Sequence, residues 1–390
     1  MTIASEIQRI KTNIANAYTV CDSKGATMPA TQNSANLADC IDSISGGSAT
    51  LITKNITQNG TYNASSDNAD GYSSVTVNVP SSGGVGIPRE VDSHGIYSKP
   101  QSQFTFSLPS NATDIGPDVL EGALANCGTL KSVDLSSLTT LSYTNAMKNA
   151  FQGCYNITSI DLTNLTLVGS TTVMISSSME NAFQSCKGLT SVDLSSLTTV
   201  AGSRAMYQAF QGCTNVTYLN LSNLTTIKGG NAMYLTFNGF AITTLDLSSL
   251  TTVNDNQAMN GTFQGCKSLT SVDLSSLTTV NGSKGMYQAF WGCQSLTSVD
   301  LSSLTTINIP YVMQNTFKSC TSLTSLSFPA LTSTSFGSYK NQFNGMLSGV
   351  TGCTVHFPSN LQSVIGSWSD VTAGFGGTNT TVLFDLPATT

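Results

Sequence analysis

Cys186-Lys-Gly-Leu-Thr-Ser-Val-Asp-Leu-Ser-Ser-Leu-Thr-Thr-Val200, followed after a short loop by Ala205-Met-Tyr-Gln-Ala-Phe-Gln-Gly-Cys213, is one unit of a pattern that recurs along the chain. Asp134, Asp161, Asp193, Asn220, Asp246, Asp273, Asp300 and Ser327 hold one place in successive units, 27, 32, 27, 26, 27, 27 and 27 residues apart. A repeat of about 20 to 50 residues marks a solenoid. The 32-residue unit carries its extra residues around Gly169 to Ser178, in the loop between the two halves.

Within the unit, Leu189, Val192, Leu194 and Leu197 follow the L-x-x-L-x-L spacing of a short strand. Alternate side chains turn inward, and Ser191 and Asp193 between them face out. In the second half Met206 and Phe210 are four apart, as are Ala205 and Ala209, which predicts a two-turn helix ended by Gly212. One unit cannot bury its apolar side alone, so the units must stack and share a core. About eight coils at the spacing of neighbouring strands make a section roughly 40 Å long. The expected fold is an α/β repeat solenoid of period about 27 over residues 105–352.

Only 9% of the 390 residues are charged and the net charge is -6, with no cluster of Lys or Arg. That composition offers no footprint for a phosphate backbone, so nucleic acid is not an expected partner. No stretch reaches the roughly 18 apolar residues of a membrane span, and the start, MTIASEIQRIKTN, has no continuous apolar run, so the expectation is a soluble chain made in the cytoplasm. His94 and His356 are the two histidines, too few for a metal cluster or a Ser-His-Asp arrangement. An even column of Asp residues lacks the asymmetry of a glycosidase pair, so no enzymatic activity and no organic cofactor are expected.

The combination AF.GC..LTSVDL, specific at Phe151, Cys154, Ile157, Ile160 and Leu162 and their equivalents, resembles the BspA-like leucine-rich repeats of bacterial surface proteins. This chain departs from that pattern in having Ser-Ser where a proline usually follows the strand, and in its longer loop. The resemblance implies the solenoid fold and an adhesive, non-catalytic role.

The N-terminal third reads differently. Ile3, Ile7, Ile10, Ile14, Ala17 and Cys21 are spaced as the seam of a short coiled coil, with isoleucine at both seam positions favouring three or four strands. The same face fits equally an intramolecular pair with a helix around Ala35 to Ile44. Residues 51 to 79 alternate like strands around an Asn59-Gly60 turn. IASEIQRIKTNIANAY, NSANLADCIDSI and ITQNGTYNASSDNADGYSSVTVNV resemble modules of structural proteins of phages infecting Gram-positive gut bacteria. The division expected from these readings is a helical assembly region 1–47, a small β module 48–80, a linker 81–104, the repeats 105–352 and a C-terminal cap 353–390.

Three sets of residues stand out as candidate sites. Asp134, Asp161, Asp193, Asp246, Asp273 and Asp300 project from neighbouring strands, where their mutual repulsion invites a cation such as Ca²⁺ or is relieved by solvent and the flanking hydroxyls. Tyr207, Tyr234, Tyr287 and Trp291 on the outside of the second half, with Arg204, Lys284 and Tyr311 in the loop before it, suit stacking on sugars or anchoring a protein. Ile3, Ile7, Ile10 and Ile14 carry the oligomer signal, read as a homotrimer. The cysteine column from Cys127 to Cys320 and the methionine column from Met147 to Met313 read as core. Together with the phage resemblance these imply a virion protein of tail-fibre or receptor-binding type, held to other virion proteins by its N-terminus and offering the solenoid to a host-surface glycan or protein. The rivals are a bacterial cell-surface adhesin and a virion decoration protein without a receptor.

Overall fold

The computed structural model describes residues 51–56, 71–77, 90–91, 97–98, 104–108, 110–170, 172, 176–336, 341–365 and 374–389. The isoleucine seam, the helix expected around residues 35–44 and His94 lie outside these residues. The chain divides into two compact units, and the one holding the repeats comprises Thr53–Asn63 and Tyr72–Thr390.

Each coil presents three successive sides. The first is a short strand, as in Ser191–Asp193, Tyr218–Asn220, Thr244–Asp246, Ser271–Asp273 and Ser298–Asp300. The second is another strand, as in Thr199–Ala201, Thr226–Lys228, Thr252–Asn254 and Thr279–Asn281. Both rows pair in parallel with no register slip between these coils, Val200 against Ile227 and Ile227 against Val253 for example. The second row runs as one six-stranded sheet, whereas the first is broken into shorter sheets, with one break between Ser298–Asp300 and Ser325–Ser327. Inward positions are sealed: Leu189, Val192, Leu194, Leu197 and Val200 are fully buried, as their spacing requires.

The third side is not the helix that the four-residue spacing suggested. Arg204, Gln208 and Gly212 have positive φ (59°, 52° and 78°), as do Asn145, Asn149 and Gly153 two units of the pattern earlier, so the left-handed conformation returns at every fourth residue. A right-handed helix tolerates no such residue. The N–H groups instead alternate between two kinds of partner. Those of Met206, Gln208 and Phe210 donate to the carbonyls of Ala232, Tyr234 and Thr236 in the next coil (2.8, 2.7 and 3.0 Å). Those of Tyr207, Ala209 and Gln211 donate three residues back, to Arg204, Met206 and Gln208 (3.2, 3.1 and 3.1 Å). The segment is therefore a string of turns and a third ladder between coils, which satisfies its backbone without a helix. Its true period of four keeps Ala205, Met206, Ala209 and Phe210 all on the buried side, where a 3.6-residue helix would rotate them away.

These turns carry the core. Phe151, Phe183, Phe210, Phe237, Phe263, Phe290 and Phe317 stack with ring centroids 5.1 to 5.7 Å apart, all fully buried. The methionine column is equally buried, as expected. Where Thr236, Thr262 and Thr316 replace the small alanine, each hydroxyl donates to a carbonyl of the preceding coil, on Met206, Met233 and Met286 (2.7, 2.8 and 2.9 Å). A buried hydroxyl is tolerated because that bond is made.

The array has about ten turns rather than eight and little helix, so it is a β-solenoid. At its start, Gly71–Val77 pairs in parallel with Phe104–Ser107, and the expected linker holds a small antiparallel pair, Glu90–Val91 with Tyr97–Ser98. At its end the parallel ladder continues past residue 353, through Thr354–Pro358 to Thr381–Leu386. The phenylalanine ladder gives way there to Phe328, Phe343, Phe357 and Phe375, three of whose contacts are tilted.

Candidate functional site

The strand side explains its own repetition. In Asp134, Asp161, Asp193, Asp246, Asp273 and Asp300 one carboxylate oxygen accepts the backbone N–H two residues on, at 2.9 to 3.1 Å. Asn220 does the same with its amide oxygen, accepting from Ser222 at 3.1 Å. The acidic column is thus a series of side chains closing the turn between the two strands. Among the described residues no three His, Cys, Asp or Glu side chains converge on a point where a metal ion would sit, so the geometry does not bring the expected cation ligands together. Next along the coil, Thr166, Thr198, Thr225, Thr251, Thr278 and Thr305 each donate a hydroxyl to the carbonyl of the equivalent threonine one coil back, at 2.9 to 3.2 Å. A shallow groove of about 570 Å³ runs along the first row between the Ser271 and Ser298 hydroxyls and the Asp246, Asp273 and Asp300 carboxylates.

The cysteine column is buried, and its thiols are spent on the scaffold. Cys154, Cys186, Cys213, Cys293 and Cys320 donate to a carbonyl of the preceding coil at 3.0 to 3.3 Å. Burial pushes the Cys213, Cys266 and Cys320 thiols up to about 12, so they stay protonated and are poor nucleophiles. In the last coils His356 Nδ1 lies 2.9 Å from the Asp385 carboxylate, an exposed pair between neighbouring strands.

The outward positions of the turn side differ from coil to coil. In the first coils they form amide ladders, Asn181 Nδ2 donating to Asn149 Oδ1 (3.0 Å) and Gln184 Nε2 to Gln211 Oε1 (2.7 Å). From Arg204 onward aromatic rings and cations join the amides. Tyr207 and Tyr234 stack at 4.6 Å, 12° from parallel. The Arg204 guanidinium lies 4.7 Å from the centroid of Tyr207 and pairs with Glu180 at 3.5 Å. Partial burial, then the neighbouring Tyr234, hold the Tyr207 phenol above its ordinary value, with Arg204 opposing them. Further along, Lys284 sits 5.2 Å over the ring of Tyr287 and Lys318 5.0 Å over that of Trp291. Tyr311 stands one period past Lys284 at the equivalent left-handed position (φ 59° and 58°) and is exposed.

The seven residues singled out as ligand-binding thus lie on one side of the coils, in two groups: Arg204, Tyr207 and Tyr234, then Lys284, Tyr287, Trp291 and Tyr311. The four rings on the turns are half-buried, not fully exposed. Two partners escaped the sequence reading. Lys318 stands 27 residues past Trp291, and Glu180 stands 27 before Tyr207, so following each column through every period would have found them. Glu180 is also nearly buried, and its Oε2 has no hydrogen-bond partner.

Among the described residues no helix is long and apolar enough to cross a membrane. Among curated proteins no sequence matches the chain. Solved structures similar to it include a leucine-rich cell surface protein from Faecalibacterium prausnitzii A2-165, at 14% identity over 73% of this chain and 89% of that one, with a TM-score of 0.21. A T. pallidum leucine-rich repeat protein shares 16% identity over 52% and 72% of the two chains (TM-score 0.24), and the pneumococcal vaccine antigen PcpA 14% over 87% and 90% (TM-score 0.26). Such low scores add nothing to the assignment. The model of the BspA type leucine rich repeat region matches in six copies, over residues 94–228, 177–284 and 236–364. With its repeat, its stacked coils and that match in agreement, the chain belongs to the BspA-type leucine-rich repeat family.

Proposed function

We propose that this protein is a non-catalytic binding scaffold displayed at a bacterial surface, and that it meets its partner with the turn side of the solenoid around Tyr287 and Trp291. One observation carries the reading: aromatic rings and cations gather in the columns where the backbone dictates no side chain, Arg204 on Tyr207, Lys284 on Tyr287 and Lys318 on Trp291. Half-buried rings held by a cation keep few rotamers to lose on binding, and Tyr, Trp and Arg are the residues that dominate binding energy. The partner class is a surface glycan or protein. Family membership favours display on a cell. The virion setting rests on the N-terminal resemblance, which lies outside the described residues apart from two strands.

The test is binding of the full chain to intact bacterial and host cells by flow cytometry, with Tyr287→Ala/Trp291→Ala against Asp273→Asn/Asp300→Asn. The aromatic pair of changes should lower the apparent affinity about tenfold or more, and the strand-side pair should leave it unchanged. The reverse result would move the binding surface to the groove on the strand side.

A further inference from the structure

The cations of the turn side are held in two different ways. In the first coils each faces a carboxylate, Lys148 pairing with Glu121 and Arg204 with Glu180, both at 3.5 Å. Further along, Lys284 and Lys318 pair with no carboxylate among the described residues. They lie over rings instead, Lys284 5.2 Å from the centroid of Tyr287 and Lys318 5.0 Å from that of Trp291. The quadrupole of a ring attracts a cation but carries no net charge, so both ammonium charges stay uncompensated. The turn segments 284–292, 311–319 and 341–349 contain no Asp or Glu. Asp300, between the first two, stands on the strand side and closes its own turn. Asp255, in the coil before Lys284, pairs with neither lysine. Gln288 N donates to Gln314 O and Gly292 N to Lys318 O (3.2 and 2.8 Å). Lys284, Tyr287 and Trp291 on one coil therefore adjoin Tyr311, Gln314 and Lys318 on the next, and a chain of net charge -6 carries a cationic patch there.

We propose that this patch binds an acidic polysaccharide, one whose sugars carry carboxylate or sulfate groups, an inference that rests on the turn side around Tyr287 and Trp291 being the binding surface. Charge complementarity selects the anion: two cations without counter-charges raise the local concentration of negative groups and pair with them on contact. Each lysine, seated on a ring, has already given up part of the rotamer freedom that binding would cost. The side chains around them select a sugar over a protein. Gln288, Gln314, Asn315 and Ser319 are partly exposed, and their amides and hydroxyl donate and accept as sugar hydroxyls require. Of the exposed large apolar side chains among the described residues, Tyr311 alone lies in these coils. The patch thus lacks the apolar centre around which a protein interface closes.

The experiment measures binding of the full chain to polygalacturonate, dextran sulfate, uncharged dextran and poly-L-glutamate by biolayer interferometry. It compares wild type with Lys284→Gln/Lys318→Gln, Lys284→Arg/Lys318→Arg and Lys267→Gln. Polygalacturonate or dextran sulfate should bind and dextran should not, and which of the two binds tells carboxylate from sulfate. The glutamine pair should keep the melting temperature and weaken binding by about tenfold or more, and the arginine pair should restore it. Lys267→Gln, at an exposed lysine beyond the turn segment, should bind as wild type. Affinity should fall about fivefold between about 50 and about 200 mM salt. No binding to either acidic polysaccharide, or full binding by the glutamine pair, overturns the inference. Equal binding to poly-L-glutamate also overturns it, by making the partner an acidic protein segment. If Tyr287→Ala/Trp291→Ala abolishes binding to cells and the glutamine pair does not affect it, the acidic polysaccharide is wrong and the binding surface stands. If neither matters to any partner, both fall.

Discussion

On the strand side the same side chain returns coil after coil because it makes the same bond: Asp161, Asp193, Asp246, Asp273 and Asp300 each close a turn, and Thr198, Thr225, Thr251 and Thr278 each cap the carbonyl behind them. On the turn side one outward position reads Lys148, Glu180, Tyr207, Tyr234, Asn260, Tyr287 and Gln314, and no two neighbours except the tyrosine pair are alike. Every coil poses the strand side the same backbone problem, so a single solution repeats. The outward turn positions are relieved of that duty, since the ladder there is made by the backbone alone. Their side chains are therefore free to vary from coil to coil.

The comparison is broken most directly at the inward neighbour of that variable position. Phe237→Ala removes a fully buried ring stacked on both Phe210 and Phe263. It should cost about 3 to 5 kcal/mol in urea melts, because a rigid stack cannot close around the cavity. A cost below that of an exposed substitution would mean the coils do not share a core. Alkali should act on the same interior. Burial raises the Cys213, Cys266 and Cys320 thiols to about 12 and Cys353 to about 11, above an ordinary value near 9.0 in the unfolded chain. The unfolded state then loses protons first, so stability should be level below about pH 9 and fall steadily from there toward pH 12. A melting temperature unchanged at pH 10.5 would contradict the burial of the column, as would rapid modification of Cys213, Cys266 or Cys320, read by peptide mapping, with a disulfide reagent at pH 8.

Smaller effects sharpen the division of labour. Asp273→Ala should lose about 1 kcal/mol through the uncapped turn, whereas Asp273→Asn should be close to neutral, as Asn220 already does the same task. If asparagine proved as harmful as alanine, charge would be the point, and EDTA should then lower the melting temperature; no response to EDTA is expected. Least of all, Tyr287→Ala should change stability by under about 0.5 kcal/mol, its cost appearing in binding instead. A destabilisation as large as that of Phe237→Ala would make the ring part of the core.

Much was legible in the residues alone. Period, core columns, strand positions and the identity of the variable columns follow from side-chain polarity repeated at a fixed interval, and polarity is a local property. The third side was misread because Met206 and Phe210, four apart, fit a helix and a string of turns equally well. The left-handed residues that tell them apart are asparagine in some coils (Asn145, Asn149, Asn181, Asn231, Asn315) but Arg204, Gln208, Lys284 or Gln288 in others, so side-chain type marks the columns unevenly, and even Gly212 was consistent with a helix end. The Asp column was readable as a column but not as a turn closure, because the N–H it accepts belongs to a backbone whose path had first to be known. Glu180 behind Arg204 and Lys318 over Trp291 depend on which side chain stands one coil away and how it leans. A repeat sets the distance between coils; only the stacked structure decides, through hydrogen bonds between residues about 27 apart, which neighbours fill the space and which leave it open.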